Sequence, residues 1–193
     1  MILHPPLILA SKSPRRCELL RRCGVDFEQF SSEVQEVSSG EDIVLLPQKN
    51  AELKAAAAAE VFPDRWVLGA DTMIIFQGHA IGKPQDMADA AEILQKLSGR
   101  QHRVVTGMAL LNRQKNIREV WRETSVVSFK KLDARTIAAY LAAVDVMDKA
   151  GAYAIQENGG MIVESFTGEL ENIIGLPLKK LQTLLNRYAV AGK

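Results

Sequence analysis

Residues 7–24 read LILASKSPRRCELLRRCG, and the order of pieces in that stretch decides the fold class. Leu7 to Ala10 form an apolar run of strand length, and Ser11-Lys12-Ser13-Pro14 ends it. Cys17, Leu19, Leu20 and Cys23 then supply the inner face of a helix that Gly24 closes. A strand leading through a polar loop into a helix begins an α/β alternation. Ser13 fits the N-cap and Pro14 the first helical position, which puts Arg15 and Arg16 in the first turn. Cations there oppose the helix dipole by about 0.3–1 kcal/mol each, whereas Arg21 and Arg22 in the last turn are favourably placed. The first pair calls for an anion. Free backbone N–H groups, the hydroxyls of Ser11 and Ser13, Lys12 and two guanidiniums make a cradle for a polyphosphate. The alternative turns both arginines back onto surface carboxylates. No GxxxxGK[ST] loop occurs in the chain.

Working outward, Phe27–Val37 reads as extended and Pro47–Val61 as a helix, which Pro63-Asp64 breaks. WVLGADTMIIF, residues 66–76, reads as a buried strand. Asp86 caps ADAAEILQKL, which ends at Gly99, and Asp133 caps ARTIAAYLAA. Between them RVVTGMALLN and EVWRETSVVSFKKL form strands paired antiparallel through residues 112–116. GGMIVESF reads as a late strand, and Gly175-Leu176-Pro177 opens an amphipathic last helix. The expected architecture is an α/β domain spanning residues 1–193, with a mixed sheet and two lobes meeting at a cleft.

The strand at 66–76 carries an acid in its middle. A buried carboxylate needs a metal, a cation or strong donors, so Asp71 is either a structural acid paired with a lysine or a catalytic or metal-binding one. Glu33 and Glu36 in SSEVQEV, Lys54 in the alanine-rich helix and Lys83 in Gly-Lys-Pro are candidates to join it. Carboxylates set among lysines and arginines suggest metal-assisted attack on a phosphoryl group. His4, His79 and His102 lack zinc-like spacing, and no Gly-x-Ser-x-Gly elbow exists, which disfavours zinc hydrolysis and acyl transfer.

Lys and Arg total 24 against 23 Asp and Glu, a net charge of +1, so the overall field attracts neither nucleic acid nor an anionic membrane. No secretory leader and no run near the ~20 apolar residues of a membrane span is apparent, and a cytoplasmic setting is expected. Cys17 and Cys23, the only cysteines, are expected to be reduced packing residues.

LILASKSPRRCELL, VLGADTMI, GKPQD, LSGRQHRVVTGMAL, DKAGAYAIQ and NIIGLPL, in this order, resemble the Maf family of nucleotide pyrophosphatases. The resemblance implies an ITPase-like fold, with an elongated mixed sheet flanked by helices around a deep cleft, in a homodimer. It implies hydrolysis of a nucleoside triphosphate to the monophosphate and pyrophosphate with Mg²⁺ or Mn²⁺. Asp71 is then the proton acceptor, Glu36 and Asp71 hold the metal, and Ser11, Arg15, Arg16, Lys54 and Lys83 bind phosphates. The branch acting on dTTP and UTP is marked by Arg15, Thr72 and Gln156. The sister branch for 7-methyl-GTP tends to have Trp, Gln and Glu instead. The amide of Gln156 both donates and accepts, which suits a pyrimidine edge. The other alternative is a nucleotide-binding regulator of cell division without catalysis. FTGELENIIG departs from the family wording at Glu169 and Leu170, which bears on the base or sugar pocket more than on the reaction.

Overall fold

The computed structural model describes residues 5–31, 33–37 and 42–190. His4 lies outside them. In chain order the elements are β1 (Leu7–Ala10), α1 (Pro14–Arg22), β2 (Phe27–Phe30), α2 (Leu46–Val61), β3 (Val67–Phe76), β4 (His79–Ile81) and α3 (Met87–Leu97). They continue with β5 (Gln101–Asn112), β6 (Ile117–Phe129), α4 (Ala134–Ala143), β7 (Val163–Thr167), α5 (Leu170–Ile174) and α6 (Leu178–Val190). The strands form one sheet in the order β2-β1-β3-β5-β6-β7, with β4 hydrogen-bonded to β3. β1 runs parallel to both β2 and β3, while β3–β4 and β6–β7 are antiparallel. The mixed sheet of the sequence reading is therefore present. Residues 113–116 between β5 and β6 are too few for a crossover, so that pair is a hairpin.

The chain divides into two compact units. The first takes in the described residues up to Thr72, Thr106–Glu123 and those from Gly175 on. Its β1 is buried on both sides, as its unbroken apolar run requires. Ile8 and Ala10 pack with Val67, Ala109 and the α2 face of Ala51, Ala55, Ala58 and Ala59. Alternation sends Leu7, Leu9, Leu68 and Ala70, all buried, to the opposite face. Two glycines lie beneath α2, Gly69 under Ala51 and Ala55 and Gly107 under the Pro47–Gln48 backbone. A Cβ on Gly69 would stand 2.1 Å from the Ala51 carbonyl, and one on Gly107 would stand 2.2 Å from the Gln48 nitrogen. Small residues on both surfaces let the helix rest on the strands.

The second unit comprises Met73–Val105 and Thr124–Ile174. Its core gathers Ile74, Phe76, Leu94, Leu97, Phe129 and Tyr140. Asp86 and Asp133 cap α3 and α4 as the sequence indicates, accepting from the amides of Asp89 and Thr136. The late strand starts later than its sequence suggests. Asn158 takes a left-handed backbone, Gly159–Met161 close a 3₁₀ turn, and β7 begins only at Val163. The departing segment around Glu169 is anchored: Asn172, fully buried, donates to the Val104 carbonyl at 3.0 Å and to Ser125 Oγ at 2.9 Å.

Candidate active site

β3 passes the carboxyl end of β1, whose Ala10 is in register with Gly69. Asp71 and Thr72 therefore extend beyond that end, where α1 leaves β1, the parallel strand between β2 and β3; open α/β sheets bind ligands at the carboxyl ends of such strands. Alternation along β3 fixes which way each residue faces. Val67, Gly69 and Asp71 face α2, and Thr72 faces the other way.

On the α2 side, Asp71 is buried and its two oxygens are separately bound. Lys54 Nζ donates to Oδ1 at 2.8 Å, and Asn50 Nδ2 donates to Oδ2 at 3.2 Å. Lys54 Nζ also lies 2.6 Å from Oε1 of Glu36, so one ammonium joins both carboxylates. Asn50 and Lys54 stand one helical turn apart and point the same way. Asn50 reaches further: its Oδ1 accepts from the Val37 amide at 2.8 Å and its Nδ2 donates to the Val37 carbonyl at 3.1 Å. Pairing of Asp71 with a lysine is what a structural acid would show. The second carboxylate on the same cation goes beyond that.

On the other side of β3, Arg16 is buried with three partners. Its Nε donates to the Gly175 carbonyl at 2.8 Å, Nη1 to Ser11 Oγ at 2.9 Å and Nη2 to Thr72 Oγ1 at 3.0 Å. Thr72 Oγ1 in turn pairs with Thr106 Oγ1 at 3.0 Å. Among the described residues no carboxylate forms an ion pair with Arg16. Burial pulls its guanidinium below the ordinary arginine value, and the charge of Asp71 acts in the opposite sense. The cation is thus held by neutral oxygens, unlike the surface pairing the sequence left open. Ser13 occupies the N-cap of α1 but makes no capping bond through its side chain; its own amide donates to Ser11 Oγ at 3.3 Å. Arg15 is half-buried beside it.

The first unit therefore gathers Ser11, Arg15, Arg16, Glu36, Lys54, Asp71 and Thr72 around the end of β1 and the middle of β3. Lys83 and Gln156 belong to the second unit, and both are exposed. There the Gly151 amide donates to the Gly82 carbonyl at 2.9 Å, joining the Gly-Lys-Pro turn to the DKAGAY segment. Lys149 of that segment is buried, 2.9 Å from Asp148 Oδ1 and 3.5 Å from Glu157 Oε1. Sequence reasoning passed over Asn50 and Thr106. An Asn one turn ahead of Lys54 in a helix otherwise rich in alanine was the available signal for the first; Thr106 offered none.

Among the described residues no group of three or more His, Cys, Asp or Glu side chains is poised for a metal. The two carboxylates on Lys54 nevertheless suit a hard divalent cation, since Mg²⁺ is commonly held by one or two carboxylates together with substrate phosphates.

A family model for Maf-like proteins matches residues 6–188. The chain belongs to the Maf family. This Maf chain is 41% identical over 188 residues to a dTTP/UTP pyrophosphatase of Akkermansia muciniphila, covering 94% of this chain and 96% of that one. It is 42% identical to a protein of the same name from Dictyoglomus thermophilum, covering 94% and 95%, and 44% identical to one from Citrifermentans bemidjiense, covering 96% and 97%. The structure of the Staphylococcus aureus Ham1 protein matches the Maf chain with a TM-score of 0.55 at 16% identity, covering 95% of this chain and 99% of that one. That likeness is one of fold, and it agrees with the ITPase-like architecture.

Proposed function

We propose that the protein hydrolyses dTTP and UTP to the nucleoside monophosphate and pyrophosphate. The observation that carries this reading is the convergence of Asp71 and Glu36 on Lys54 at the carboxyl end of a parallel strand, in a chain whose relatives bear that activity in their names. Asp71 takes a proton from the attacking water. The new bond forms between that oxygen and the α-phosphorus, and the bond to the bridging oxygen breaks as pyrophosphate leaves. Arg15, Arg16 and Lys54 offset the charge on the phosphates. Lys83 and Gln156 keep the phosphate- and base-binding roles that the resemblance implies, with Arg15 and Thr72 the other marks of the pyrimidine branch. Glu36 and Asp71 are the residues to hold Mg²⁺ or Mn²⁺, which when bound polarises phosphate oxygens and neutralises developing charge. The same reading takes the protein as a cytoplasmic homodimer, and a purely monomeric species in sedimentation velocity would remove the assembly from it.

The test is release of pyrophosphate from dTTP, UTP and 7-methyl-GTP side by side, with Mg²⁺ or Mn²⁺ present. Release from the first two is expected. Release from 7-methyl-GTP alone would move the protein to the sister branch, and binding without any release would make it a regulator.

A further inference from the structure

Asn50 is only 2% exposed, yet it lies on a helix whose other buried residues near it are Leu46, Pro47, Ala51 and Ala55. A buried amide in such surroundings costs stability unless its donors and acceptor are met. Here both N–H groups are used, one on the Val37 carbonyl and one on Asp71 Oδ2, and the carbonyl accepts from the Val37 amide. The two bonds to Val37 imitate a strand pairing, so the side chain fixes a backbone segment that carries Glu36 as its preceding residue. The third bond fixes the acid on β3. One side chain thus sets the position of Glu36 with respect to Asp71, while Lys54, one turn further along the same helix, lies between their charges.

We infer that Asn50 is a positioning residue for the reaction: it acts through Asp71 and through the Glu36 segment, without touching the substrate. The inference rests on the hydrolytic reading above, since Asp71 and Glu36 are its working groups. A role confined to anchoring the Val37 segment makes a different prediction, and substitutions separate the two. Asn50→Leu removes all three bonds while keeping the branch at Cγ, with better helix propensity. Asn50→Asp keeps the acceptor for the Val37 amide, the first of the two bonds to that residue, but has no donor for the Val37 carbonyl and sets a carboxylate oxygen against Asp71 Oδ2.

The experiment measures kcat and KM for dTTP and UTP in both variants, with far-ultraviolet circular dichroism as the check on folding. Binding of Mn²⁺ to wild type and Asn50→Leu is followed through the paramagnetic resonance of free ion. Partners of this kind typically change activity or metal affinity by about 10–100-fold. The expected result is a fall in kcat of at least about tenfold in both variants with KM within about threefold of wild type, and Mn²⁺ affinity weakened to a similar degree in Asn50→Leu. A folded Asn50→Asp with wild-type kcat would overturn the inference in favour of simple loop anchoring. So would a folded Asn50→Leu whose kcat and Mn²⁺ affinity are unchanged, and so would failure of both variants to fold, which would make Asn50 part of the scaffold. Wild-type protein inactive on both nucleotides would instead remove the hydrolytic reading, and the Mn²⁺ comparison would still decide whether Asn50 organises the two carboxylates.

Discussion

Asp71 and Thr72 are neighbours in sequence and face opposite sides of β3, and most of the site follows from that. Asp71 stands out in the sequence because a carboxylate interrupts an apolar run, a conflict visible without any partner. Arg16 is legible only in part: its position in the first turn is unfavourable and Ser11 is close in sequence, but the other two oxygens that receive it come from Gly175 and Thr72, 159 and 56 residues away. No local pattern records such distances. Asn50 was missed because its one signal, a place one turn ahead of Lys54, depends on knowing that Lys54 faces Asp71. The two readings of Asp71, structural or catalytic, part at Asp71→Asn. The amide oxygen still accepts from Lys54 and only the bond from Asn50 is lost, so the folded state should persist. A catalytic Asp71 predicts a fall in kcat of about a hundredfold or more, as loss of a general base does. A structural Asp71 predicts wild-type turnover with a lowered unfolding midpoint, and measuring both quantities on one preparation settles the matter.

At the scale of elements, the alanine-rich α2 and the glycines of β3 and β5 form one device. Helix propensity accounts for the alanines in the sequence reading, but the closeness of Ala51 and Ala55 to Gly69 shows a second reason for them, and Gly107 gives the same room to the Pro47–Gln48 backbone. Close approach of the helix to the strands is what carries Asn50 and Lys54 to Asp71. α2 was legible from its run of strong helix formers and the Pro63-Asp64 break, whereas α3 and α6 were legible because burial repeats along them. β4, with three residues, and α5, with five, were not, since neither is long enough to show a period. Gly69→Ala should therefore act on stability and on the site together. Its Cβ would stand 2.9 Å from the Ala55 nitrogen as well as against the Ala51 carbonyl, both in or beside helical backbone that cannot turn aside. Overpacking of this kind costs about 1–3 kcal/mol, and the displaced helix should lower kcat with it. Gly160→Ala, where nothing lies within 4 Å, should leave the urea midpoint close to wild type. Equal midpoints for the two variants would show that α2 does not rest on Gly69 as described.

For the whole molecule, β3, β5 and β6 each run through both compact units, which explains why no linker marks the division in the sequence. Where a boundary cuts across strands, the apolar pattern continues through it. The second unit holds the group that should couple the stability of the chain to pH. His102 is 2% exposed, lies edge-on to Phe129 and Tyr153, and shares a hydrogen bond of 2.8 Å with the Tyr153 hydroxyl. Among the described residues its Nδ1 has no hydrogen-bond partner. Burial holds its pKa down at about 4, against 6.5 for an ordinary histidine. Well above pH 6.5 the ring is neutral in both folded and unfolded chains, and its contribution to stability is fully present. Below that value the unfolded chain takes up a proton that the folded chain refuses until about pH 4, so stability falls through this window. Between pH 7 and pH 5 the loss from this one group should be about 2 kcal/mol. His102→Gln offers Tyr153 a polar atom and takes up no proton. Its urea unfolding free energy should therefore decline less than that of wild type over the same interval, by that amount. Parallel declines in the two proteins would mean that His102 is protonated in the folded chain at pH 5, and that the aromatic cluster around it is open to water.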